Sequence, residues 1–371
     1  MEPMRDNRRE HQPQIAKYTG PGSGESLVVL EQVVANRKVG GGLGQKLEAL
    51  RFWLEDDLKA VEAALSAFEA KPEESLDRHA AVPFFKSTGK LLRPVCVLLA
   101  SRVSGAQTSE AVRDVAVAVE LVHSATLLHD DVIDLGNERR GQQTARLIYG
   151  NAASVLGGDF VLMRALQLLN QHGDSREMGE LLGVIEEMVS AEARQLESRG
   201  RLQLDTARYL DVISGKTAAL FRWAMGAGGR ASGASESVST ALAGYGQNLG
   251  MGFQLIDDLL DLMGNSEQLG KDLYVDLAEG KMTFPLIYAA NASPAVAEKI
   301  QQLLDEPENR DSAEVGHWLA EVLKGTGADE KTRESARDYV NAAIEHLNAL
   351  PRCAGRTALE EVARTMLRRV C

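Results

Sequence analysis

Residues 47–68, LEALRFWLEDDLKAVEAALSAF, place apolar side chains at Leu47, Leu50, Leu54, Leu58, Val61, Leu65 and Phe68. Spacings of three and four return a side chain to the same side of an α-helix, so this stretch predicts an amphipathic helix with one apolar stripe. Downstream, no proline occurs between Pro94 and Pro285, and the span is rich in Ala, Leu, Glu, Gln and Met. Proline is the strongest interrupter of a helix interior and those residues favour helix, so the middle of the chain predicts a set of long helices. Alternating β-branched runs bounded by turn residues are almost absent, which leaves no sheet from which to build an α/β fold. The expected class is all-α.

Upstream of that helix, residues 1–45 are polar and Gly/Pro-rich and end in Val39-Gly40-Gly41-Gly42-Leu43-Gly44. They have no sustained period and predict a flexible N-terminal extension ahead of one domain over residues 46–371. The glycine cluster lacks the strand-and-helix context of a phosphate loop and reads as linker. Further breaks are expected around Ser104-Gly105, Leu135 to Gly141, His172 to Asp174, Ser198 to Leu204, Gly226 to Gly233 and Gly264 to Gly280.

The 371 residues are enough to bury a core, and a 44% hydrophobic, 25% charged composition is that of a soluble globular protein. No apolar run approaches the roughly 20 residues that span a bilayer. The net charge of -12 argues against nucleic acid as the main partner, because phosphate-backbone binding needs clustered Lys and Arg. Cys96, Cys353 and Cys371 are far apart and form no CxxC pair, so neither a zinc site nor a disulfide framework is expected and a reducing cytoplasm is the simplest home. The N-terminus lacks the apolar segment and small-residue cleavage site of a secretory signal.

The chemistry concentrates in two places. Asp130, Asp131 and Asp134 lie near the C-terminal end of a helix predicted to start at Ser109-Glu110 with Ser109 as N-cap. Asp130 and Asp134 are one turn apart on one face, so both carboxylates can reach the same ions. Like charges this close favour protonation or a bound cation, and magnesium, which takes carboxylates alongside substrate phosphates, suits them. Asp257, Asp258 and Asp261 repeat the pattern after the largely apolar Met251 to Ile256, where charges need a reason to be. One acidic motif alone reads more readily as a solvated helix end; two suggest ions held between helices. Cations accompany them in compact sets: Lys90 with Arg93, Arg139 with Arg140, Lys216, and Lys271 with Lys281. Ser214-Gly215-Lys216-Thr217 ends like a nucleotide-binding loop, but Leu210 stands where that loop needs its first glycine. His129 suits packing or hydrogen bonding, whereas His123, seven residues before Asp130, is either a core histidine or one facing substrate.

These residues together resemble the trans-isoprenyl diphosphate synthases, most closely the long-chain octaprenyl and solanesyl type, from about Leu47 to the C-terminus. Gly89-Lys90-Leu91-Leu92-Arg93-Pro94 is similar to the family's GGKRLRP box, with departures at Thr88 and Leu91. ELVHSATLLHDDVIDLGNERRG (120–141) and FQLIDDLLD (253–261) resemble its two aspartate-rich regions, and GKDLYVDLAEGKMTFPLIYA (270–289) its closing lysine segment. The resemblance implies a single large bundle of long helices around a central cavity, magnesium as cofactor, and isopentenyl diphosphate and an allylic prenyl diphosphate as substrates. It implies that Lys90, Arg93, His123 and Arg140 bind isopentenyl diphosphate, while Arg139, Lys216, Thr217, Gln254, Lys271 and Lys281 hold the allylic diphosphate. Asp130, Asp134 and Asp257 would be the direct metal ligands, with Asp131, Asp258 and Asp261 supporting them, and Lys216, Asp130 and Asp257 would carry the catalysis. Leu91 stands where the family commonly has a basic residue, which weakens part of that grip.

Product length is read through the same likeness from Ala125 and Thr126, five and four residues before Asp130. Bulky aromatics there stop growth early in the family; small side chains leave the channel open, unless Ala125 merely serves close helix packing. A long-chain polyprenyl diphosphate for quinone side chains is the expected product, with a farnesyl or geranylgeranyl diphosphate synthase as the alternative. A terpene cyclase fits less well, since its second metal motif mixes Asn, Ser or Thr and Glu. A non-catalytic partner subunit commonly loses acidic motifs, and both are intact here. The resemblance also implies a homodimer, soluble and compatible with a peripheral membrane contact for product release.

Overall fold

The computed structural model describes residues 53–67, 79, 91–139, 142–172, 174–263, 274–306 and 313–367. The predicted extension over residues 1–45 lies outside them, as do Lys90, Arg140 and Lys271.

The described chain is all-α. In order it forms α1 Glu55–Ser66, α2 Leu92–Ser101, α3 Glu110–Ile133, α4 Ala145–Tyr149, α5 Asn151–Asn170, α6 Ser175–Ser198 and α7 Thr206–Ile213. A π-helical turn, Ser214–Ala218, leads into α8 Ala219–Ala231 and the 28-residue α9 Glu236–Met263. The remainder is α10 Val275–Ala278, α11 Phe284–Ala292, α12 Pro294–Asp305, α13 Ala313–Thr326, α14 Ala328–His346 and α15 Ala354–Leu367. Among the described residues the only strands are the two-residue pair β1 Glu138–Arg139 and β2 Gln142–Gln143, antiparallel in the loop after α3. Ser109 is the N-cap of α3, its side chain accepting from Val112 N–H at 3.3 Å, the kind of contact worth about 1 kcal/mol.

The main apolar cluster draws on α2, α3, α5, α8 and α9, with Val97, Val119, Leu128, Phe221 and Tyr245 fully buried in it. A second cluster, including Leu262, Leu277, Leu286, Ile300 and Leu319, joins the end of α9 to α10–α13. α9 is therefore the central element, packed on α8 along one side and α14 along another. Glycine allows that closeness. A Cβ at Gly246 would sit 2.4 Å from the Phe221 carbonyl oxygen, and one at Gly252 would sit 2.8 Å from a Val340 methyl.

The break expected over Gly226 to Gly233 falls later than the sequence suggests: α8 continues to Ala231, and the chain turns at Gly233 with φ 78°. The reason is packing. A Cβ at Gly228 would meet the Val97 carbonyl at 2.6 Å and one at Gly229 would meet Leu242 at 2.8 Å, so these glycines are contact points against α2 and α9. Burial here outweighs the roughly 1 kcal/mol by which glycine disfavours helix.

α5 is, by length and composition, apolar enough to cross a membrane. One of its faces, including Ala153, Gly157, Gly158 and Val161, is nevertheless buried, and the helix packs against α3 as a member of the bundle.

These contacts predict opposite outcomes for two glycine substitutions. Gly246→Ala forces α8 and α9 apart and is expected to destabilise the protein by about 1–3 kcal/mol. Gly179→Ala, on α6 with nothing within 4 Å of the new Cβ, is expected to stabilise by about 0.4–1 kcal/mol. Thermal melts of the two variants against the parent check the signs.

Candidate active site

The C-terminal ends of α3, α6 and α9 meet the N-terminal end of α8, and the predicted acidic motifs lie at that junction. Asp130 is in the last turn of α3 and Asp134 is its C-cap. Lys216 lies in the π turn before α8, where its Nζ is 3.9 Å from Asp130 Oδ2. The same ammonium ion-pairs with Glu192 and donates to Gln195 Oε1 at 2.8 Å. Glu192 and Gln195 stand three residues apart on α6 and so share a face. Gly215 lets α6 come this close, since a Cβ there would lie 2.8 Å from Ala191 Cβ and 2.9 Å from the Glu187 carbonyl oxygen. The stretch that looked like the end of a nucleotide-binding loop is thus an interruption between helices that delivers Lys216 and Thr217.

Asp134 meets Lys281 Nζ at 2.9 Å and Arg199 Nη1 at 3.1 Å. Lys281 also donates to Glu279 at 2.5 Å. Burial works to lower the Lys281 pKa, but the carboxylates of Glu279, Asp134 and Asp276 outweigh it and leave it raised. Asp131 points away from this cluster. It is almost fully buried and pairs with Arg139, whose Nη2 lies 2.7 Å from Oδ1, while its Oδ2 has no hydrogen-bond partner among the described residues. Arg139, predicted to hold diphosphate, is here the counter-ion of Asp131.

In the second motif, Asp258 is buried and receives the Tyr209 hydroxyl and, at 2.7 Å, the Gln254 amide, which in turn accepts from Thr217 Oγ1 at 2.8 Å. Burial raises the Asp258 pKa well above the usual carboxylate range, and Asp276 adds to the rise. Asp261 accepts the backbone N–H groups of Val275 and Asp276 at 3.1 and 3.3 Å, which fastens α10 to the end of α9. Burial, then Asp276, pushes the Asp261 carboxyl up to about 7. Asp276 is itself pushed up to about 6 by burial, with Lys281 and Lys216 opposing and Glu279 and Asp257 reinforcing. Asp130 is likewise pushed up to about 6 by burial, against Lys216 and with Glu192 and Asp134. Lys216 and Lys281 act on both Asp130 and Asp276, and Asp276 in turn acts on Asp258 and Asp261, so Asp276 links the two motifs electrostatically.

Other predicted residues lie around it. Arg93 stands 4.9 Å over the Phe221 ring, a cation–π contact. His123 is half-buried two turns before Asp130, and its carbonyl accepts the Thr126 hydroxyl at 2.8 Å. His129 Nε2 lies 3.2 Å from the Val155 carbonyl, against Gly158, where a Cβ would be 2.2 Å from the ring. Leu91 is packed in the core at φ 47°, so that position serves packing rather than anion binding.

The site includes residues that sequence reasoning did not single out: Glu192, Gln195, Arg199, Tyr209, Asp276 and Glu279. Asp276 and Glu279 stand inside the quoted lysine segment, where their place between Lys271 and Lys281 was a usable signal. Glu192, Gln195 and Arg199 carry none, since only helix packing brings α6 to Lys216 and Asp134.

The donor set fits a hard divalent cation: carboxylate oxygens from two helix ends, with Asp130 and Asp261 pushed up by burial, so that a bound cation would favour their ionised form. Among the described residues no three such side chains converge as a preformed metal cluster.

An all-α fold that gathers two acidic motifs at one junction, with lysines on the first, is that of a prenyltransferase, and the chain belongs to the polyprenyl synthetase family, whose pattern matches residues 76–322. It is a polyprenyl diphosphate synthase. It is 36% identical over 282 residues to octaprenyl diphosphate synthase of Escherichia coli, covering 76% of this chain and 86% of that one. Heptaprenyl diphosphate synthase component 2 of Geobacillus stearothermophilus is 35% identical over 320 residues, covering 86% and 97%. The crystal structure of polyprenyl synthase from Caulobacter crescentus, complexed with calcium and isoprenyl diphosphate, superposes with a TM-score of 0.81 at 35% identity, covering 88% and 98%.

The raised carboxyls predict a pH dependence. An unfolded Asp titrates near 3.9, so between about pH 4 and 7 the folded protein holds protons that the unfolded chain releases, and stability falls as pH rises through that window. In chelator, Asp261→Asn is expected to flatten this decline and melt higher than the parent at pH 7.5. Melting curves from pH 4.5 to 7.5 check it; equal slopes for parent and variant would count against the assignment.

Proposed function

We propose that the chain condenses isopentenyl diphosphate with an allylic diphosphate primer to make a long-chain polyprenyl diphosphate, a precursor of quinone side chains. The observation that carries this reading is the convergence of the two acidic motifs, linked by the segment that runs from Asp261 through Asp276 to Lys281 and Asp134. Magnesium would be held by Asp130, Asp134 and Asp257, and when bound it supplies positive charge that stabilises the departing diphosphate. Lys216, Thr217, Gln254, Lys271 and Lys281 hold the allylic diphosphate, with Arg139 beside them paired to Asp131; Lys90, Arg93, His123 and Arg140 hold isopentenyl diphosphate. The allylic C–O bond breaks, and the resulting cation is attacked by the isopentenyl double bond. A proton then leaves to the released diphosphate, and no protein nucleophile is needed.

Small side chains at Ala125 and Thr126 support a long product. Both lie within two turns of Asp130, Ala125 buried and Thr126 half-buried, so neither presents an aromatic plug below the motif. The relatives named above as octaprenyl and heptaprenyl synthases favour the same reading over a farnesyl or geranylgeranyl product.

We also propose that it works as a homodimer in a reducing cytoplasm, with residues 46–371 as one catalytic unit. Leu182, Val189 and Leu196 on α6 are spaced by seven and about half or more exposed, and Leu156 and Met163 on α5 repeat that spacing. Seven-residue apolar stripes are suited to helix-on-helix contact, and a second copy presents the same stripes in a two-fold arrangement.

Incubation with isopentenyl diphosphate, farnesyl diphosphate and magnesium, followed by mass spectrometry, is expected to give products longer than geranylgeranyl. Products stopping at that length would sink the long-chain reading. Ala125→Tyr is expected to shorten the product while turnover of the primer persists. Val189→Glu is expected to yield monomer by light scattering, and an unchanged dimer mass would remove the α5/α6 surface from consideration.

A further inference from the structure

Asp134 has two cations, and they are held differently. Arg199, immediately after α6, donates from Nη1 to Asp134 Oδ1 and to the Ile133 carbonyl, each at 3.1 Å, and from Nε to the Glu279 carbonyl at 2.6 Å. Next to it, Gly200 N–H donates to the Gly280 carbonyl at 2.8 Å. The end of α6 is thereby fastened to the end of α3 and to the segment that carries Lys281. Lys281 Nζ, by contrast, is held by two side chains, Asp134 and Glu279, on a flexible stem.

The other end of that segment is tied to the second motif. Tyr274 N–H donates to the Asp261 carbonyl at 2.9 Å, and the next two N–H groups donate to the Asp261 carboxylate. The Tyr274 ring lies against Gly316 of α13, where a Cβ would come within 2.7 Å of it. Residues 274–281 therefore form a strap from the last aspartate of one motif to the last aspartate of the other.

A divalent ion arriving at Asp134 meets one anchored cation and one movable one. Expelling Arg199 would leave two backbone carbonyls without their donor and loosen the strap. Moving Lys281 breaks only side-chain contacts, to Asp134 and Glu279, and leaves no backbone carbonyl without its donor. We propose that Arg199 is a positioning residue that pins the strap to the first acidic motif, and that Lys281 is the exchangeable cation, released from Asp134 by a divalent ion and then free to take a diphosphate oxygen. Ion and diphosphate consequently bind cooperatively, because the first frees a donor for the second. This rests on the reading that a diphosphate and a divalent ion share this site.

The test uses the full chain with Mn²⁺ and inorganic pyrophosphate as probes, in titration calorimetry and amide hydrogen exchange, on the parent, Arg199→Ala, Arg199→Lys and Lys281→Ala. In the parent, each probe is expected to tighten the other by about 5-fold or more. Lys281→Ala is expected to bind Mn²⁺ alone several-fold more tightly and to lose the coupling. Arg199→Ala is expected not to tighten Mn²⁺ alone, to speed exchange at the Gly200 and Lys281 amides, and to weaken the coupling. Arg199→Lys keeps the charge without the guanidinium fork and is expected to follow Arg199→Ala. Equal tightening of Mn²⁺ in Arg199→Ala and Lys281→Ala would overturn the proposal, as would full coupling in Lys281→Ala. Failure of pyrophosphate to bind the parent with Mn²⁺ would instead overturn the diphosphate site itself.

Discussion

Crowding of buried carboxylates at the helix ends is the constraint on which the site depends. Asp130, Asp134, Asp257, Asp258, Asp261 and Asp276 are brought together in a region where burial alone raises several of their pKa values. Such an arrangement is tolerable only if protons, cations or hydrogen-bond donors answer each charge. Lys216, Lys281 and Arg199 answer the first motif; Tyr209, Gln254 and the backbone of α10 answer the second. A site with this density of carboxylates, balanced by side chains that can change partners, suits a small, hard cation with its anionic ligand.

The surrounding fold follows from bringing those helix ends together. Glycines at 215, 246 and 252 sit where backbones approach, and each substitutes closeness for a side chain. The π turn at 214–218 interrupts the helical register where Lys216 and Thr217 must face α6 and α9, consistent with the frequent association of such turns with functional sites. The strap over 274–281 then bridges the two motifs, so the geometry of one is tied to that of the other through hydrogen bonds rather than through the core alone.

The motifs were legible because their chemistry is local. Two DDxxD sequences on helices, with the spacing that places the first and last carboxylate on one face, identify themselves without a partner in view. The helix starting after Ser109 was legible for the same reason, a cap followed by a sustained apolar period. The roles within each motif were less so. Asp131, Asp258 and Asp261 share a sequence context with the aspartates beside them, yet one neutralises Arg139, one is buried under Tyr209 and one receives α10. Neighbours in sequence point in different directions around a helix, and what each meets depends on elements far along the chain.

The sequence by itself determined the helical class, the two acidic motifs, the accompanying cations and the small residues below the first motif, because periodicity, proline placement and spacing act over a few turns. Tertiary structure alone decided that α8 runs through its glycines, that Arg139 serves Asp131, and that Glu192 and Gln195 on α6, with Arg199 just after it, join Lys216 and Asp134. The reason is range: helix propensity and capping are written between residues three or four apart, whereas an ion pair such as Arg199 with Asp134 joins residues 65 apart and exists only once the bundle has closed.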